Sequence, residues 1–215
     1  MEYISKGNVY NLLPTDKKKR LSTKVCASII KDVISAEYFL HNMKQPIIHR
    51  DIKPENVLLS EGLVAKLTDF GWSDYILEED TRKTVGITPI YSAPEILLEK
   101  EHNEAVDIWC IGILLFELVT GAVPFQGNDI ADDILKLKIT WPKNIDNDAK
   151  KLIMKILKLN PKHRLPLEEM LKHPFITKYV PDATKYLIKS KEGVQYKPFI
   201  FSKDDPKTWK PEKIE

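Results

Sequence analysis

The chain of 215 residues has few of the features that would point at once to a particular chemistry or partner. Its net charge is only +2, which gives no reason to expect a nucleic acid or a membrane surface as a direct partner. Its eight glycines form no Gly-x-Gly-x-x-Gly segment, so it lacks the loop that holds nucleotide phosphates in several enzyme classes. Four of its five histidines, at positions 41, 102, 163 and 173, lack the spacing of metal ligands, which favours structural roles.

Long apolar segments are also missing. The longest near-continuous apolar run covers residues 108–119, shorter than the roughly 20 residues that cross a bilayer, and Glu117 interrupts it. Residues 1–6 lack the apolar core of a signal peptide. The two cysteines, Cys26 and Cys110, lie among apolar residues on predicted helices. This pattern favours buried free thiols in a reducing compartment, and the sequence alone leaves a disulfide open.

The pattern of apolar residues predicts one mainly helical domain. Hydrophobic residues make up 43% of the chain, which is enough for a sizeable core at this length. Apolar positions recur at helical spacing in four segments, residues 22–41, 105–120, 148–157 and 166–172. Ser22 is suited to cap the first segment. Gly121 is suited to end the second, which is apolar on nearly all sides.

Short strands are expected between the first two helices. The apolar segments 47–48, 57–59 and 64–67 have strand character, and a Glu-Gly pair between the last two favours a turn. The polar residues between these strands then lie on loops held by a rigid scaffold. Residues 73–90 are polar without a clear period, which is typical of a functional or disordered loop.

Three short motifs stand in order along the middle of the chain. They are His-Arg-Asp-Ile-Lys-Pro-Glu-Asn at residues 49–56, Asp-Phe-Gly at residues 69–71 and Ala-Pro-Glu at residues 93–95. Each of their polar residues, taken alone, is more often an ordinary surface group. The whole set has a chance of about one in a hundred or less of arising without function.

The motifs supply the groups that phosphoryl transfer needs, because that reaction requires an aligned nucleophile and neutralised charge. Asp51 is the candidate base that orients a substrate hydroxyl, and Lys53 can reach the transferred phosphate as a point charge. Asn56 and Asp69 offer the hard oxygen ligands that suit Mg²⁺, which bridges the phosphates of ATP. The predicted catalytic residues are therefore Asp51, Lys53, Asn56 and Asp69, the last two as metal ligands, with ATP and Mg²⁺ as cofactors.

These motifs resemble those of the large, C-terminal lobe of eukaryotic serine/threonine protein kinases. The lysine at position 53 is similar to that of the serine/threonine class, and Trp72-Ser73 after Asp-Phe-Gly is similar to the Aurora kinases. The resemblance implies a mainly α lobe with short β-hairpins at the catalytic loop. It implies a kinase domain over residues 1–176 that begins at the hinge, with the small β-rich N-lobe absent, and a C-terminal extension over residues 177–215.

The resemblance assigns further residues to nucleotide and substrate. Glu2 and Ile4 resemble hinge residues whose backbone meets the adenine, and Leu58 resembles the apolar floor beneath it. The implied nucleotide-binding set is Glu2, Ile4, Lys53, Glu55, Asn56, Leu58 and Asp69. Glu55 resembles the carboxylate that reads a substrate arginine, with a solvated loop acid as the alternative. Thr88 resembles a threonine that contacts the catalytic loop and favours Ser/Thr substrates.

The resemblance also implies regulation by phosphorylation. Thr84 resembles the activation-loop phosphosite, and Arg50 the arginine that pairs with it. A phosphate adds about −1.5 to −2 charge and could order the loop. Residues 82–85, Arg-Lys-Thr-Val, are similar to the arginine-directed motif that Aurora kinases phosphorylate, which is consistent with autophosphorylation.

Other matches are structural, and one stretch departs from the family. Asp107 resembles the aspartate that anchors the backbone of the catalytic loop, and Glu95 and Arg164 resemble the buried ion pair of the family. Pro89 stands where Aurora kinases have another residue in the loop that docks substrate. This difference leaves the substrate preference open.

Three functions therefore stay open at this point. The first is an Aurora-like kinase with Ser/Thr protein substrates, some arginine-directed, and a possible activator protein. The localisation implied for such a kinase is the nucleus and cytoplasm, at the spindle, centrosome or chromosomes in mitosis. The second is a lobe-only pseudokinase or binding module, and the third is a kinase of another Ser/Thr family. Without a small lobe, weak ATP binding and negligible turnover are expected.

Overall fold

The computed structural model describes residue 4 and residues 6–13, 20–72, 74–75 and 89–188. The helices within them are α1 Thr23–His41, α2 Pro94–Leu97, α3 Ala105–Thr120, α4 Ile130–Leu135, α5 Asn147–Ile156, α6 Leu167–Leu171 and α7 Pro174–Thr177. The strands are β1 Ile47–Ile48, β2 Val57–Leu59, β3 Ala65–Leu67 and β4 Asp74–Tyr75. Short 3-10 helices connect them. The predicted mainly helical fold with small β-hairpins is confirmed.

Helix α1 begins and ends where its capping residues predict. The Ser22 hydroxyl accepts a hydrogen bond from the Val25 amide at 3.3 Å, which satisfies one of the unpaired donors of the first turn. Asn42 follows the last helical residue. The apolar face of α1, which includes Ile30 and Ile34, is fully buried and packs against α3.

Helix α3 is the central element of the core. Its residues are buried along nearly the whole length, and Gly121 ends it with a φ of 72°, a left-handed conformation that glycine adopts without strain. Gly112 lets α5 approach closely, since a Cβ at this position would lie 2.6 Å from the Leu157 side chain and 2.7 Å from that of Ile156. The α3 sequence thus fixes both its end and its contact with α5.

The strands form two small antiparallel sheets beside α1. Strand β2 pairs with β3 in the register Val57↔Leu67 to Leu59↔Ala65, with the predicted Glu-Gly pair in the turn. Strand β1 pairs with β4, and Ile47 lies opposite Tyr75. The interpretation of residues 73–90 as a loop was therefore wrong for β4. Its two residues gain their regular structure from hydrogen bonds to β1, which no local pattern reveals.

Three short helices were also missed. Helices α2 and α7 both begin with a proline, at Pro94 and Pro174, where the missing amide hydrogen would have had no partner in the helix. Helix α4 is capped by Asp129, whose carboxylate accepts from the Asp132 amide at 2.9 Å. Segments this short contain too few apolar positions for a helical period to appear.

The chain continues beyond α7 against the body of the domain. A 3-10 helix covers Ala183–Tyr186, and Ala183 is fully buried. The Lys31 ammonium lies 4.0 Å from the centre of the Tyr186 ring, a cation–π contact between this segment and α1.

The two cysteines are free and buried, as predicted. Burial raises the pKa of the Cys26 thiol to about 12, and its sulfur donates to the Leu118 carbonyl at 3.4 Å. A thiol with such a pKa is unreactive near neutral pH. Across the described ranges, no helix has the length and apolar character required to cross a membrane.

A buried ion pair joins α2 to the segment before α6, as predicted. The two guanidinium nitrogens of Arg164 donate to the two oxygens of Glu95 at 2.6 and 2.7 Å, a bidentate arrangement. Arg164 also donates to the carbonyls of Ala105 and Lys158 at 2.7 and 3.1 Å. The pair therefore ties the Ala-Pro-Glu motif to the start of α3.

Replacing Arg164 by alanine is expected to destabilise the domain by about 3–5 kcal/mol, because the Glu95 carboxylate would stay buried without its partner. Urea unfolding followed by circular dichroism measures the change. The matched control is Lys172→Ala, which breaks an exposed pair with Glu169 and should change the midpoint little. Equal midpoints for the two variants would contradict this assignment.

Candidate active site

The catalytic loop, defined here as residues 49–56, runs from the end of β1 to the start of β2. Asp107, in the first turn of α3, holds the beginning of this loop through its backbone. Its Oδ2 accepts from the His49 amide at 2.9 Å, and its Oδ1 accepts from the Arg50 amide at 2.8 Å. The predicted anchoring role of Asp107 is confirmed.

The anchor stabilises an unfavourable turn of the chain. Arg50 has a φ of 66°, in the left-handed region that residues with a Cβ rarely adopt. Such a conformation costs on the order of 1 kcal/mol or more and persists where the surroundings over-determine it. The two hydrogen bonds to Asp107 provide that constraint, and the turn sets the direction of the next residue, Asp51.

Asp51, Lys53 and Asn56 form a closed cluster beyond this turn. The Lys53 ammonium donates to both carboxylate oxygens of Asp51 at 2.8 Å. The Asn56 amide nitrogen donates to the Asp51 Oδ2 at 2.7 Å and to its backbone carbonyl at 2.8 Å. Asp51 and Lys53 are half-buried, and Asn56 is buried. The structure thus brings together three of the four predicted catalytic residues.

The cluster fixes one carboxylate next to one positive charge. An ionised aspartate is an acceptor only, so the donors of Lys53 and Asn56 hold it in one orientation. Charge-assisted hydrogen bonds of this kind are shorter and stronger than neutral ones. A hydroxyl that approaches Asp51 would meet an oriented acceptor with a cation beside it, which is the arrangement that a base for an alcohol requires.

The β2–β3 hairpin places Asp69 at the same end as Asn56. Because the strands are antiparallel, the residue before β2 and the residues after β3 meet, and the Thr68 amide donates to the Asn56 carbonyl at 3.0 Å. Asp69 follows directly, exposed and with a φ of 61°. Its Oδ1 accepts from the Gly71 amide at 3.3 Å.

The donor chemistry of Asn56 and Asp69 fits Mg²⁺. The Asn56 amide nitrogen points to Asp51, which leaves its carbonyl oxygen as the atom available to a ligand. Asp69 adds an exposed carboxylate. A carboxylate and an amide oxygen are hard ligands of the type that Mg²⁺ prefers when it is bound together with nucleotide phosphates.

His49 links the catalytic loop to the Asp-Phe-Gly segment, a role that the sequence did not reveal. Its Nε2 lies 3.1 Å from the Thr68 carbonyl, and its ring lies 4.9 Å from that of Phe70. Burial lowers the pKa of His49 and so favours the neutral ring. The neutral tautomer with Nε2–H donates to Thr68 and accepts from the Asp51 amide at Nδ1, 3.3 Å away.

A second carboxylate lies near Glu55 and was also missed. Glu55 is exposed on the catalytic loop, and its role in reading a substrate arginine stays a prediction. Glu117, on α3, accepts a hydrogen bond from the Tyr91 hydroxyl. Burial raises the pKa of Glu117, and the negative charge of Glu55 raises it further, so the two acids are electrostatic neighbours. The available signal was an acidic residue inside an otherwise apolar helix.

The predicted adenine site is described only in part. The Leu59 amide donates to the Gly7 carbonyl at 2.9 Å, and Asn8 forms a β-bridge with Leu58. These bonds place the N-terminal segment beside β2. Leu58 and Ile4 are half-buried, and their contact with adenine stays a prediction. The other predicted residues Glu2, Thr84 and Thr88, and Ser73 of the Trp-Ser pair, lie outside the described residues.

Comparison with known proteins agrees with the motifs and their geometry. The protein kinase domain family matches residues 1–176, and the chain therefore belongs to the protein kinase family. Within it, the predicted resemblance to the Aurora kinases is confirmed. The chain is 40% identical to the Aurora kinase of Saccharomyces cerevisiae over 185 residues, which is 84% of this chain and 49% of that protein.

Two mouse proteins show the same similarity. Over 179 residues the chain is 38% identical to Aurora kinase B of Mus musculus, across 82% of this chain and 50% of that protein. Over 182 residues it is 36% identical to Aurora kinase C of Mus musculus, across 83% of this chain and 64% of that protein. The chain thus spans about half to two thirds of the length of these relatives.

Proposed function

We propose that this chain carries the catalytic machinery of an Aurora-like serine/threonine protein kinase, which transfers the γ-phosphate of ATP to Ser or Thr of protein substrates. The observation that carries the proposal is the Asp51 carboxylate, held between the Lys53 ammonium and the Asn56 amide at 2.7–2.8 Å. A carboxylate aimed in this way beside a cation suits the activation of an alcohol towards a phosphate.

Each residue of the cluster has a distinct part in the proposed reaction. Asp51 accepts the hydrogen of the substrate hydroxyl and orients its oxygen. Lys53 stays beside Asp51 and adds positive charge where the transferred phosphoryl group carries negative charge. Asn56 and Asp69 would hold Mg²⁺ together with ATP, and the ion supplies neutralisation of the phosphate oxygens. Ile4 and Leu58, with Glu2, would meet the adenine.

The acidic pair of Glu55 and Glu117 favours substrates that contain arginine. Glu55 is exposed, while Glu117 is partly buried and hydrogen-bonded to Tyr91. A guanidinium between two such carboxylates would relieve their mutual repulsion and form charge-assisted hydrogen bonds. The acidic pair therefore favours a basic residue near the phosphorylated Ser or Thr.

The finer assignments rest on the resemblance to Aurora kinases alone. They include phosphorylation at Thr84, contact of Thr88 with the catalytic loop and binding of an activator protein. They also include a mitotic role in the nucleus and cytoplasm, at the spindle, centrosome or chromosomes. All of them belong to the same proposal.

Asp51→Asn is expected to lower phosphotransfer to a Ser/Thr peptide by about 10²–10⁴-fold, because an amide cannot accept the hydroxyl proton. Transfer from radiolabelled ATP would be measured with the chain alone, and with the chain joined behind the small lobe of the Saccharomyces cerevisiae Aurora kinase. The small lobe contributes the phosphate-covering loop in this family.

The matched control is Asp182→Asn, which makes the same chemical change at an exposed position far along the chain. Its φ of 56° is one that asparagine also adopts, so its activity should equal that of the parent. Equal activity in the Asp51 variant would contradict the proposal. So would the absence of phosphotransfer by the parent fusion, which would favour a binding module.

Glu55→Gln is expected to lower kcat/KM about tenfold for a peptide with arginine near the acceptor serine, equivalent to about 1.4 kcal/mol. The reason is the loss of one charged acceptor for the guanidinium. The same peptide with alanine in place of arginine should be unaffected. Glu61→Gln, an exposed change in the β2–β3 turn, is the control. Equal losses for both peptides would contradict the arginine assignment.

A further inference from the structure

Three titratable side chains meet beneath the catalytic loop, outside the set that touches substrate. Glu37 and His41 lie one turn apart on α1, and Asp107 faces them from α3. The His41 Nε2 lies 2.9 Å from the Asp107 Oδ2 and 3.0 Å from the Glu37 Oε2. The side chains of Glu37 and Asp107 are completely buried, and that of His41 is 7% exposed. We refer to these three residues as the buried triad.

The buried triad contains more acceptors than donors. The His41 Nε2 carries at most one hydrogen, and its bond to the Asp107 Oδ2 uses it. Within the described part of the chain, neither oxygen of Glu37 then accepts a hydrogen bond. A buried carboxylate without donors is costly, so the fold favours a proton on Glu37.

The pKa shifts agree with this proton count. Burial raises the pKa of Glu37 to about 8, and the negative charge of Asp107 adds to the effect. Burial alone would lower the pKa of His41, but its bonds to Asp107 and Glu37 outweigh burial and raise it to about 10. At neutral pH, Glu37 is therefore the group of the triad closest to a change of charge.

Among the described residues, few titratable groups face Glu37. On its own helix His41 faces it, and on α3 Asp107 and the Cys110 thiol do. The catalytic loop contributes His49, whose ring is neutral and whose backbone amide donates to the Asp107 Oδ2. Helix α6 also packs against α1, but its Glu168 accepts from the Tyr38 hydroxyl at 2.7 Å. A change at Glu37 is therefore transmitted first to His41 and Asp107.

We propose that Glu37 is a positioning residue for the catalytic loop. Its carboxyl competes with Asp107 for the His41 hydrogen and so sets how firmly Asp107 holds the amides of His49 and Arg50. With Glu37 protonated, the His41 hydrogen belongs to Asp107 and the loop is held in the described geometry. When Glu37 loses its proton, its carboxylate attracts the His41 hydrogen away from Asp107. The Asp107 carboxylate, which accepts from the amides of both His49 and Arg50, then loses one of its donors.

A metal ion is a weaker explanation of the buried triad than a proton. The three ligand atoms lie within 4.8 Å of one another, a spacing that an ion could also use. However, both oxygens of Asp107 already accept backbone hydrogens from His49 and Arg50. An ion would have to compete with these bonds, whereas a proton on His41 leaves them intact.

The test is a pH titration of the ¹⁵N-labelled chain, followed by the amide signals of His49 and Arg50 in NMR spectra. Between pH 6 and 10 we expect both signals to move with a common midpoint near pH 8. In Glu37→Gln the midpoint should vanish, with both signals near their low-pH positions, because glutamine mimics the protonated acid. The matched control, Glu168→Gln, removes a carboxylate that contacts the next residue of α1 and should keep the midpoint.

Two results of this titration, and a third from a metal chelator, would overturn the proposal. One is the absence of any shift of these amides in the parent, and the other is the same midpoint in Glu37→Gln. A midpoint that EDTA moves would likewise overturn it in favour of a metal site. If circular dichroism shows that Glu37→Gln does not fold, Glu37→Leu replaces it. Leucine is similar in size to glutamate and also removes the charge.

Stability provides a second readout with a defined sign. The folded pKa values of Glu37 and His41 both lie above their ordinary values of 4.5 and 6.5. Both groups therefore bind protons more tightly in the folded state, and stability falls as pH rises, from about 4.5 to 8 for Glu37 and from 6.5 to 10 for His41. In Glu37→Gln, the free energy of unfolding should therefore fall less steeply between about pH 4.5 and 8 than in the parent.

The role of Glu37 in catalysis rests on the proposed kinase function, whereas its effect on the catalytic loop does not. The amide titration and the stability curve need no ATP, no substrate and no turnover. Failure of phosphotransfer with a titrating triad would therefore contradict the proposed kinase activity alone. Activity with a triad that does not titrate would contradict the role of Glu37 alone.

Discussion

The carboxylate of Asp107 is the group on which the candidate active site depends. It is completely buried, and three donors offset the cost of its burial: the amides of His49 and Arg50 and the ring of His41. Burial would raise the pKa of Asp107, but the bond and charge of His41 lower it below its ordinary value. The ionised Asp107 in turn holds Arg50 in its left-handed conformation. Everything after Arg50 in the catalytic loop takes its direction from that turn.

The scaffold around Asp107 consists of one buried helix, α3, and one hairpin, β2–β3. Helix α3 is held on two sides. The ring of its Trp109 stacks on that of Phe125 with 6.0 Å between the ring centres, and α5 packs over Gly112. The antiparallel register of the β2–β3 hairpin places Asn56 and Asp69 at the same end of the hairpin. Backbone pairing alone is enough for this, and their side chains need not touch. The chemistry thus lies on loops, and the regular elements supply the rigidity that positions it.

The sequence predicted the elements whose signals are local. Helices α1 and α3 have caps and a sustained apolar period, and the Glu-Gly pair marked the β2–β3 turn. The motifs predicted the cluster around Asp51, because their fixed spacing is specific. Strand β4 was not predictable, since its two residues depend on distant pairing with β1. Glu37 and Glu117 were missed for a related reason: the role of an acid on an apolar helix depends on residues that the fold brings beside it, Asp107 for Glu37 and Tyr91, 26 residues away, for Glu117.

The Asp107 anchor determines the geometry of the catalytic loop, and amide hydrogen exchange of an Asp107→Asn variant tests this dependence most directly. The amide group retains one acceptor oxygen and presents a donor where the second oxygen was. We expect at least tenfold lower protection of the His49 amide than in the parent, while amides in α3 and α5 keep their protection. Unchanged protection of His49 and Arg50 would contradict the claim that Asp107 holds the loop.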